Sequence, residues 1–494
     1  MGRRSMPHGV RQSCHCQIVG SVDRMSMQWH MRPPSPRVCG KPPSLWIAFA
    51  IYVVIQAAGV VITVLTWGPQ PVASGDFFVR LLVLPLALTI ALCGSLYSGY
   101  EQELNDTDWW NFLCRETQSS WRRWAQRRVV IVASTTITPE AELGERMLGL
   151  ERPRPVNTGK RLPLANQDQA SSEARLERVL TDLLTPLSAT IAGVARTCSM
   201  HVYLQSSTQD DLSELRQLWQ RLRLPDLVSF SWVSLDTPLS LTAPWFGNDH
   251  PPAEFVLTLA CQLHRPDQAP AWSEAAVALL TTSFEVMRNY RGKRRPQAYL
   301  LRPITAEADE VIDATAALLR AQQVSPDRIK HLWTSSLPGH LRHATAAAVK
   351  DSGLDLPTHD LDEAMGEPGP VSPLLLRALA AQIVQHGQGV QLVATPTRHG
   401  VQLNLIGTQL APVEPVKPEY YRMLSLSATI GVVGVACLMM FGAETLGVMR
   451  PWIGWAVLAV VILMFPIQIG GSILNRRLLE DDFFSELQRS KERT

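Results

Sequence analysis

A chain of 494 residues with a net charge of +2 has no basic field to hold nucleic acid and no acidic arm to solvate a partner. Its mean hydropathy is near zero, high for a soluble protein and low for a channel, which fits a soluble block carried by a few membrane spans. The eight cysteines, Cys14, Cys16, Cys39, Cys93, Cys114, Cys198, Cys261 and Cys437, follow no spacing of a zinc site or a disulfide framework, as in a reducing compartment.

Residues 1–43 are polar, without periodicity, and read as a disordered leader. Met25, Met27 and Met31 offer alternative starts. The first apolar run begins too late and is too long for a signal peptide. Cys14-His15-Cys16 with Cys39 has metal-ligand residue types, but no core surrounds it to hold ligands in place.

Residues 44–100 read as a transmembrane hairpin. The run 45–67 is uncharged over more than the roughly 20 residues a bilayer requires. Trp46 and Trp67 stand at its ends, as interfacial aromatics do. A second uncharged run, 81–100, ends with Tyr97 and Tyr100. Residues 424–474 repeat the pattern, with uncharged runs 424–443 and 451–474 around Glu444 and Arg450. No Asp, Glu, Lys or Arg lies within the four runs. Charges inside a membrane mark ion and proton paths, so these spans read as an anchor rather than a transporter. Lys and Arg cluster in the leader, after the second run and in the tail 475–494, while the hairpin loops hold only Arg80 and Arg450. Positive-inside then places both termini and the central block in the cytoplasm.

Residues 101–126 read as a juxtamembrane helix, acidic first and basic last, in accord with the helix dipole. Trp109, Trp110, Trp121 and Trp124 supply its apolar contacts. The soluble domain spans 127–407, and 408–423 is a linker back to the membrane. Within the domain, apolar runs suggest strands at 127–137, 201–204, 227–233, 255–263, 275–282, 329–335, 391–395 and 400–406. Helical spacing suggests helices at 177–195, 210–222, 308–321, 340–351 and 373–386. The alternation indicates an α/β layered domain. No internal repeat is evident.

Phosphate loop, dinucleotide fingerprint, nucleophile elbow and metalloprotease helix are all missing from the sequence, so it implies no cofactor. His340 and His343 stand one turn apart on a helix, the best metal-like spacing, with His331, His359 or Asp360 as the third ligand. A surface histidine pair is the plainer reading, and no metal is expected. Cys198 or Cys261 with a histidine would make a nucleophile pair, although Cys261 in an apolar strand reads as a small hydrophobe.

The run Arg127-Arg-Val-Val-Ile-Val-Ala-Ser-Thr-Thr-Ile-Thr-Pro-Glu140 resembles the first strand and turn of β-ketoacyl synthases. Trp272-Ser-Glu-Ala-Ala-Val-Ala-Leu-Leu280 resembles the strand that carries Gly-Glu-Gly-Ala in that family. Val324-Ser-Pro-Asp-Arg-Ile-Lys-His331 is similar to the segment before the first catalytic histidine. Met365-Gly-Glu-Pro-Gly-Pro370 and His386-Gly-Gln-Gly389 are similar to the Gly-His loop and the turn before the closing strands. The resemblance implies a thiolase-like fold of two stacked halves with mixed five-stranded sheets. It does not carry the catalytic residues. Where the family has its histidines, this chain reads Trp333-Thr-Ser-Ser336 and Ala364-Met-Gly366, and no cysteine stands in an acyl-accepting context. The fold class is therefore α/β, a thiolase-like domain inserted between two transmembrane hairpins, with no catalytic residue assigned.

The whole layout, with Leu143-Gly-Glu-Arg-Met-Leu-Gly-Leu-Glu151, resembles bacterial type VI secretion proteins of the lipase-adapter family. That resemblance implies a non-catalytic adapter at the bacterial inner membrane. Its partner would be a secreted lipase effector or a component of the secretion machine, with a homodimer possible. The alternative is a membrane-anchored acyltransferase or thioesterase.

Overall fold

The structure, a computed structural model, describes residues 28–68, 74–150, 153–164, 172–246, 251–265, 268–290, 295–417 and 419–492. Cys14, His15 and Cys16 lie outside the described residues. The chain divides into two compact units, Met1–Ser120 with Glu414–Thr494, and Trp121–Val413.

The first unit opens with α1 (Leu45–Thr66). A short turn, Gly75–Phe78, and a π-helical turn, Val79–Val83, lead into α2 (Leu84–Ala125). The juxtamembrane residues 101–125 therefore continue the second span in one 42-residue helix. The irregular turn has a local cause. Pro85 has no N–H, so the Leu81 carbonyl lacks its helical donor. The Gln56 amide of α1 supplies one at 2.8 Å, which satisfies a backbone group that apolar surroundings would leave unpaired.

The second unit holds an eleven-stranded sheet. Its first part runs β1 (Arg128–Ile137), α3 (Leu143–Met147), α4 (Ser172–Leu184), α5 (Ser188–Ala195), β2 (Met200–Ser206), α6 (Asp211–Arg221), β3 (Val228–Ser234), α7 (Ala243–Phe246), β4 (Phe255–Gln262) and β5 (Ala275–Ser283). Thr185-Pro186-Leu187 divides the helix expected over 177–195 into α4 and α5. After α8 (Phe284–Asn289) come β6 (Ala298–Leu301), β7 (Ile304–Ala306), α9 (Val311–Arg320), β8 (Ile329–Thr334), α10 (Gly339–Asp351), β9 (Thr358–Asp360), α11 (Leu361–Met365), α12 (Ser372–Gln385), β10 (Val390–Pro396) and β11 (Val401–Gly407).

The strand order, β3-β2-β4-β5-β1-β6-β11-β10-β8-β9 with β7 beside β11, contains a duplication. In the first half β1 is antiparallel to β5, β5 is antiparallel to β4, and β4, β2 and β3 run parallel. In the second half β6 is antiparallel to β11, β11 is antiparallel to β10, and β10, β8 and β9 run parallel. Each half is thus a mixed five-stranded sheet of the same topology, the arrangement expected from the sequence resemblance. The halves meet at the antiparallel pair of β1 and β6, Arg128 opposite Leu301 through Ile131 opposite Ala298.

The repeat missed in the sequence is visible once the halves are superposed in order. Ser206-Ser207 ends β2 and Ser335-Ser336 follows β8. Each pair leads into a helix that stops at a left-handed residue, Arg223 at φ 51° and Gly353 at φ 81°, and each stop is followed by a leucine, Leu224 and Leu354. The third strands are followed by Leu235-Asp236 and Leu361-Asp362. In both, the residue that closes the strand caps the aspartate backbone. Ser234 Oγ accepts from Asp236 N at 3.3 Å and Asp360 Oδ1 from Asp362 N at 3.0 Å.

The central strands β4 and β5 and the first part of β1 are largely apolar on both faces because both faces are covered. Val129 and Ile131 of β1, and Val277 and Leu279 of β5, face an inner core built on α12. Val130 and Val132, with Ala278 and Leu280, face an outer core under α4, α5 and α6. α12 has eleven of its fourteen residues buried and touches strands of both halves. Arg377 lies in its middle. This fully buried guanidinium donates to Thr395 Oγ1 at 2.9 Å and Gln402 Oε1 at 2.7 Å, and burial lowers its pKa to about 10. One asymmetry breaks the duplication. Between β9 and β10 the chain builds α12, whereas between β3 and β4 the described helix is the single turn α7.

The chain returns to the first unit with α13 (Leu426–Thr445) and α14 (Pro451–Glu492), which carries the charged tail as a continuous helix. Among the described residues four helices, Leu45–Thr66, Gly75–Ala125, Leu426–Thr445 and Pro451–Ser490, are long and apolar enough to cross a membrane. α2 and α13 pack backbone to backbone. A Cβ added at Gly94 would lie 2.4 Å from the Gly431 Cα, and one at Gly434 would lie 2.7 Å from the Ala91 nitrogen. Small residues allow this approach in lipid.

Candidate functional site

Ligand sites in α/β sheets form at the carboxyl ends of parallel strands. Here there are two such places, one per half. In the second half, the ends of β8 and β9 bring together Trp333–Ser336 and the first turn of α11 just before Ala364–Gly366, the two segments that the sequence resemblance set against histidine segments. Asp362, in the first turn of α11, receives the Ser336 backbone N–H on both carboxylate oxygens, at 3.0 and 2.8 Å, and the Ser335 hydroxyl at 2.9 Å. Ser336 takes a left-handed conformation, φ 57°, to do so. Burial, with Asp360 nearby, raises the Asp362 carboxyl to about 6. Asp360 in turn accepts from Arg342 Nη1 of α10 at 2.5 Å.

Arg342, Asp360 and Asp362 border a hollow of about 260 Å³, which Gly366, Glu367 and Thr158 also line. Gly366 cannot carry a side chain. Its φ is 95°, and a Cβ would lie 2.3 Å from the Lys160 carbonyl oxygen. The backbone approaches closely here because Glu367 N donates to Lys160 O and Asn157 N to Glu363 O, both at 2.8 Å.

The matching place in the first half is a second hollow of about 240 Å³, lined by Ser207, Asp236, His264, Arg265 and Trp272 among others. Asp236, the counterpart of Asp362, is exposed. Behind this hollow Glu274 has a fully buried carboxylate. It pairs with Arg175 and accepts from Leu164 N at 2.8 Å and His264 N at 2.5 Å. Ser273 beside it receives the Leu162 N–H at 3.0 Å and donates to Lys160 O at 3.2 Å. The run likened to Gly-Glu-Gly-Ala thus joins the two hollows. Glu274 neutralises Arg175 and pins two loops, a role that requires a carboxylate at that position.

The sequence-derived candidates fall elsewhere. Cys261 lies near the end of β4 but faces the outer core, and burial pushes its thiol up to about 12. A thiol held there is not a nucleophile at neutral pH. Cys198 precedes β2, so roughly 20 Å of strand separate it from the hollow at the other end. His340 and His343 are exposed on α10. Their supposed third ligands are engaged with other groups. His331 and His359 meet each other, Nδ1 to Nε2 at 3.0 Å, and Asp360 holds Arg342. His359 Nδ1 stands 3.1 Å from the Met147 carbonyl and must donate to it. With the His359 ring neutral, its Nε2 accepts from His331 Nδ1–H. Burial, then the neighbouring His331, lowers His359 to about 4. Among the described residues no three His, Cys, Asp or Glu side chains converge as metal ligands.

No family model and no curated protein matches the sequence. Solved structures do match. The oxazolomycin ketosynthase domain OzmH KS8 of Streptomyces albus JA3453 is 13% identical, with 60% of this chain and 100% of that one covered at a TM-score of 0.39. The ketosynthase AntDE, solved with its acyl-carrier protein AntF, is 12% identical over 57% of this chain and 99% of its own, at 0.41. Cerulenin-bound OleA of Xanthomonas campestris is 12% identical over 57% and 97%, at 0.35. Likeness of this size assigns no activity to the chain. The mixed α/β domain between candidate membrane helices rests on its own duplicated topology, and these ketosynthases are what it is similar to.

Proposed function

We propose that the chain is a membrane-anchored adapter of a bacterial type VI secretion system. Its cytoplasm-facing domain would hold a lipase effector or a component of the machine and perform no chemistry of its own. One observation carries the non-catalytic part. At the strand ends where acyl transfer needs an activated nucleophile and a general base, Asp362 is closed into hydrogen bonds with Ser335 and Ser336. The cysteine nearest in sequence to either hollow, Cys261, is turned into the outer core. The secretion assignment is supported by the layout of the chain, with its two hairpins, Trp-rich connector and Leu143–Glu151 run. The test is crosslinking of the full-length protein in its native membrane, followed by identification of the partners. A lipase or secretion components should be recovered. Recovery of acyl-carrier proteins alone would exclude the adapter reading.

A second reading, a membrane-anchored acyltransferase or thioesterase, is favoured by one feature. Ser335 Oγ, itself buried, donates to the raised Asp362 carboxylate that borders the hollow, as a hydroxyl does to its general base. An acyl-thioester probe should then label the wild type and fail on Ser335→Ala. Labelling that survives Ser335→Ala combined with Cys198→Ala and Cys261→Ala would leave this reading without a nucleophile.

A further inference from the structure

The first unit holds a hollow of about 450 Å³ that neither reading uses. It lies among α2, the segment leading into α13, and α14. All three change from apolar to polar there. The uncharged run of α2 ends at Tyr100 and Glu101 follows. α13 begins its apolar run after Ser425, and α14 leaves its own at Asn475-Arg-Arg477. With the four helices crossing a bilayer, this is the level of the headgroups. Leu424 and Leu426 form an apolar wall, and Glu101, Asn105, Arg422 and Gln468 supply the polar lining.

Three groups define what would fit. The Arg422 backbone is fixed, its N–H donating to Asn105 Oδ1 at 2.9 Å and its carbonyl accepting from Asn105 Nδ2 at 3.2 Å. Its side chain is exposed, with a charge that acts on the nearby Glu101 carboxylate but no hydrogen bond to it. Glu101 is held in place by Ser425 Oγ at 2.6 Å and Ser427 Oγ at 2.8 Å. Gln468 lies within the apolar run of α14, about 10 Å above Asn475. Its Oε1 is buried and has no donor among the described residues. A polar group in a membrane span with no partner is costly, and such groups mark sites of function.

We propose that this hollow binds the headgroup of a glycerophospholipid bearing a primary ammonium, the phosphatidylethanolamine class. The lipid phosphate pairs with the Arg422 guanidinium. The ammonium N–H groups reach Gln468 Oε1 and the Glu101 carboxylate, which a choline headgroup, lacking N–H, cannot do. The acyl chains follow the Leu424 and Leu426 wall into the bilayer. This inference stands on the membrane helices alone and is independent of the adapter reading.

The experiment is native mass spectrometry of the full-length protein from mild detergent, offered equal amounts of dioleoyl phosphatidylethanolamine, phosphatidylcholine and phosphatidylglycerol. The wild type should retain the ethanolamine lipid in preference to both others. Arg422→Ala, a change at an exposed and unbonded side chain, should lower its retention by about tenfold, the loss of one charge-assisted contact. Arg422→Lys should restore part of it. Gln468→Leu should bring the ethanolamine-to-choline ratio toward one. Equal retention of all three lipids by the wild type would overturn the proposal, as would unchanged retention by Arg422→Ala. Binding of soluble phosphoethanolamine as tight as that of the lipid would show a site for a free metabolite and would also overturn it.

Discussion

At the scale of single residues, Asp362 sets a pH dependence. Burial keeps its carboxyl at about 6, against ~3.9 for an unfolded aspartate. Between those values the native chain keeps a proton that the unfolded chain has released. Asp362 therefore favours the fold in acid, and that contribution is lost as pH rises through about 6. Thermal melts of the full-length protein across this window should show the loss, and Asp362→Asn should flatten it. A profile that Asp362→Asn leaves unchanged would assign the dependence to other groups. Gly366→Ala is expected to cost more than ~2 kcal/mol, because it adds a Cβ where φ is 95° and the Lys160 carbonyl is 2.3 Å away. Glu274→Leu should cost about 3–5 kcal/mol, since Arg175 is left without its counter-charge in a mostly buried setting. Both are read from denaturation midpoints. Little of this was legible in the sequence. Ala364-Met-Gly366 lies next to Asp362 in the chain, but nothing in a lone aspartate tells that a segment 26 residues before it closes on it. Glu274 read as one residue of a strand because its partners, Leu164, Arg175 and His264, come from two other loops and a helix.

Among the elements, long strands and helices were readable because burial on both faces writes unbroken apolar runs into β1, β4 and β5. β6, β7 and β9, of four, three and three residues, are too short to carry a period. The duplication stayed hidden for a related reason. What the halves share is geometry, Ser-Ser after the second strand and Leu-Asp after the third, with a left-handed stop between them, and these few positions are scattered among dissimilar packing residues. α12 is the element whose loss the domain would feel most. Arg377→Ala opens a void and strips Thr395 and Gln402 of their donor, so a loss of about 3 kcal/mol is expected from core truncation and unpaired groups together. Chemical denaturation measures it. In the membrane unit, Gly94→Leu drives a side chain into the Gly431 backbone. It should separate α2 from α13, which cysteine crosslinking between the two helices would report as lost yield.

For the molecule as a whole, the duplicated sheet predicts how it divides. Cut between β5 and β6, neither piece holds a complete inner core, because α12 belongs to the second half in sequence and packs on β1 and β5 of the first. Fragments 121–290 and 295–413 should each be insoluble when expressed alone and should copurify when expressed together. A soluble, cooperatively melting fragment 121–290 would contradict this. β1 gives the architecture a consequence in time. Its partners, Ala275–Ser283 and Ala298–Leu301, leave the ribosome some 140 to 170 residues after it, on the order of ten seconds or more at ordinary synthesis rates. Throughout that wait the Val-Val-Ile-Val run has no mate, while the spans before it are already available to the membrane. A nascent chain tethered in this way presents a naked apolar strand beside a lipid surface, so its yield in the cell should depend on a chaperone that recognises extended apolar segments during translation.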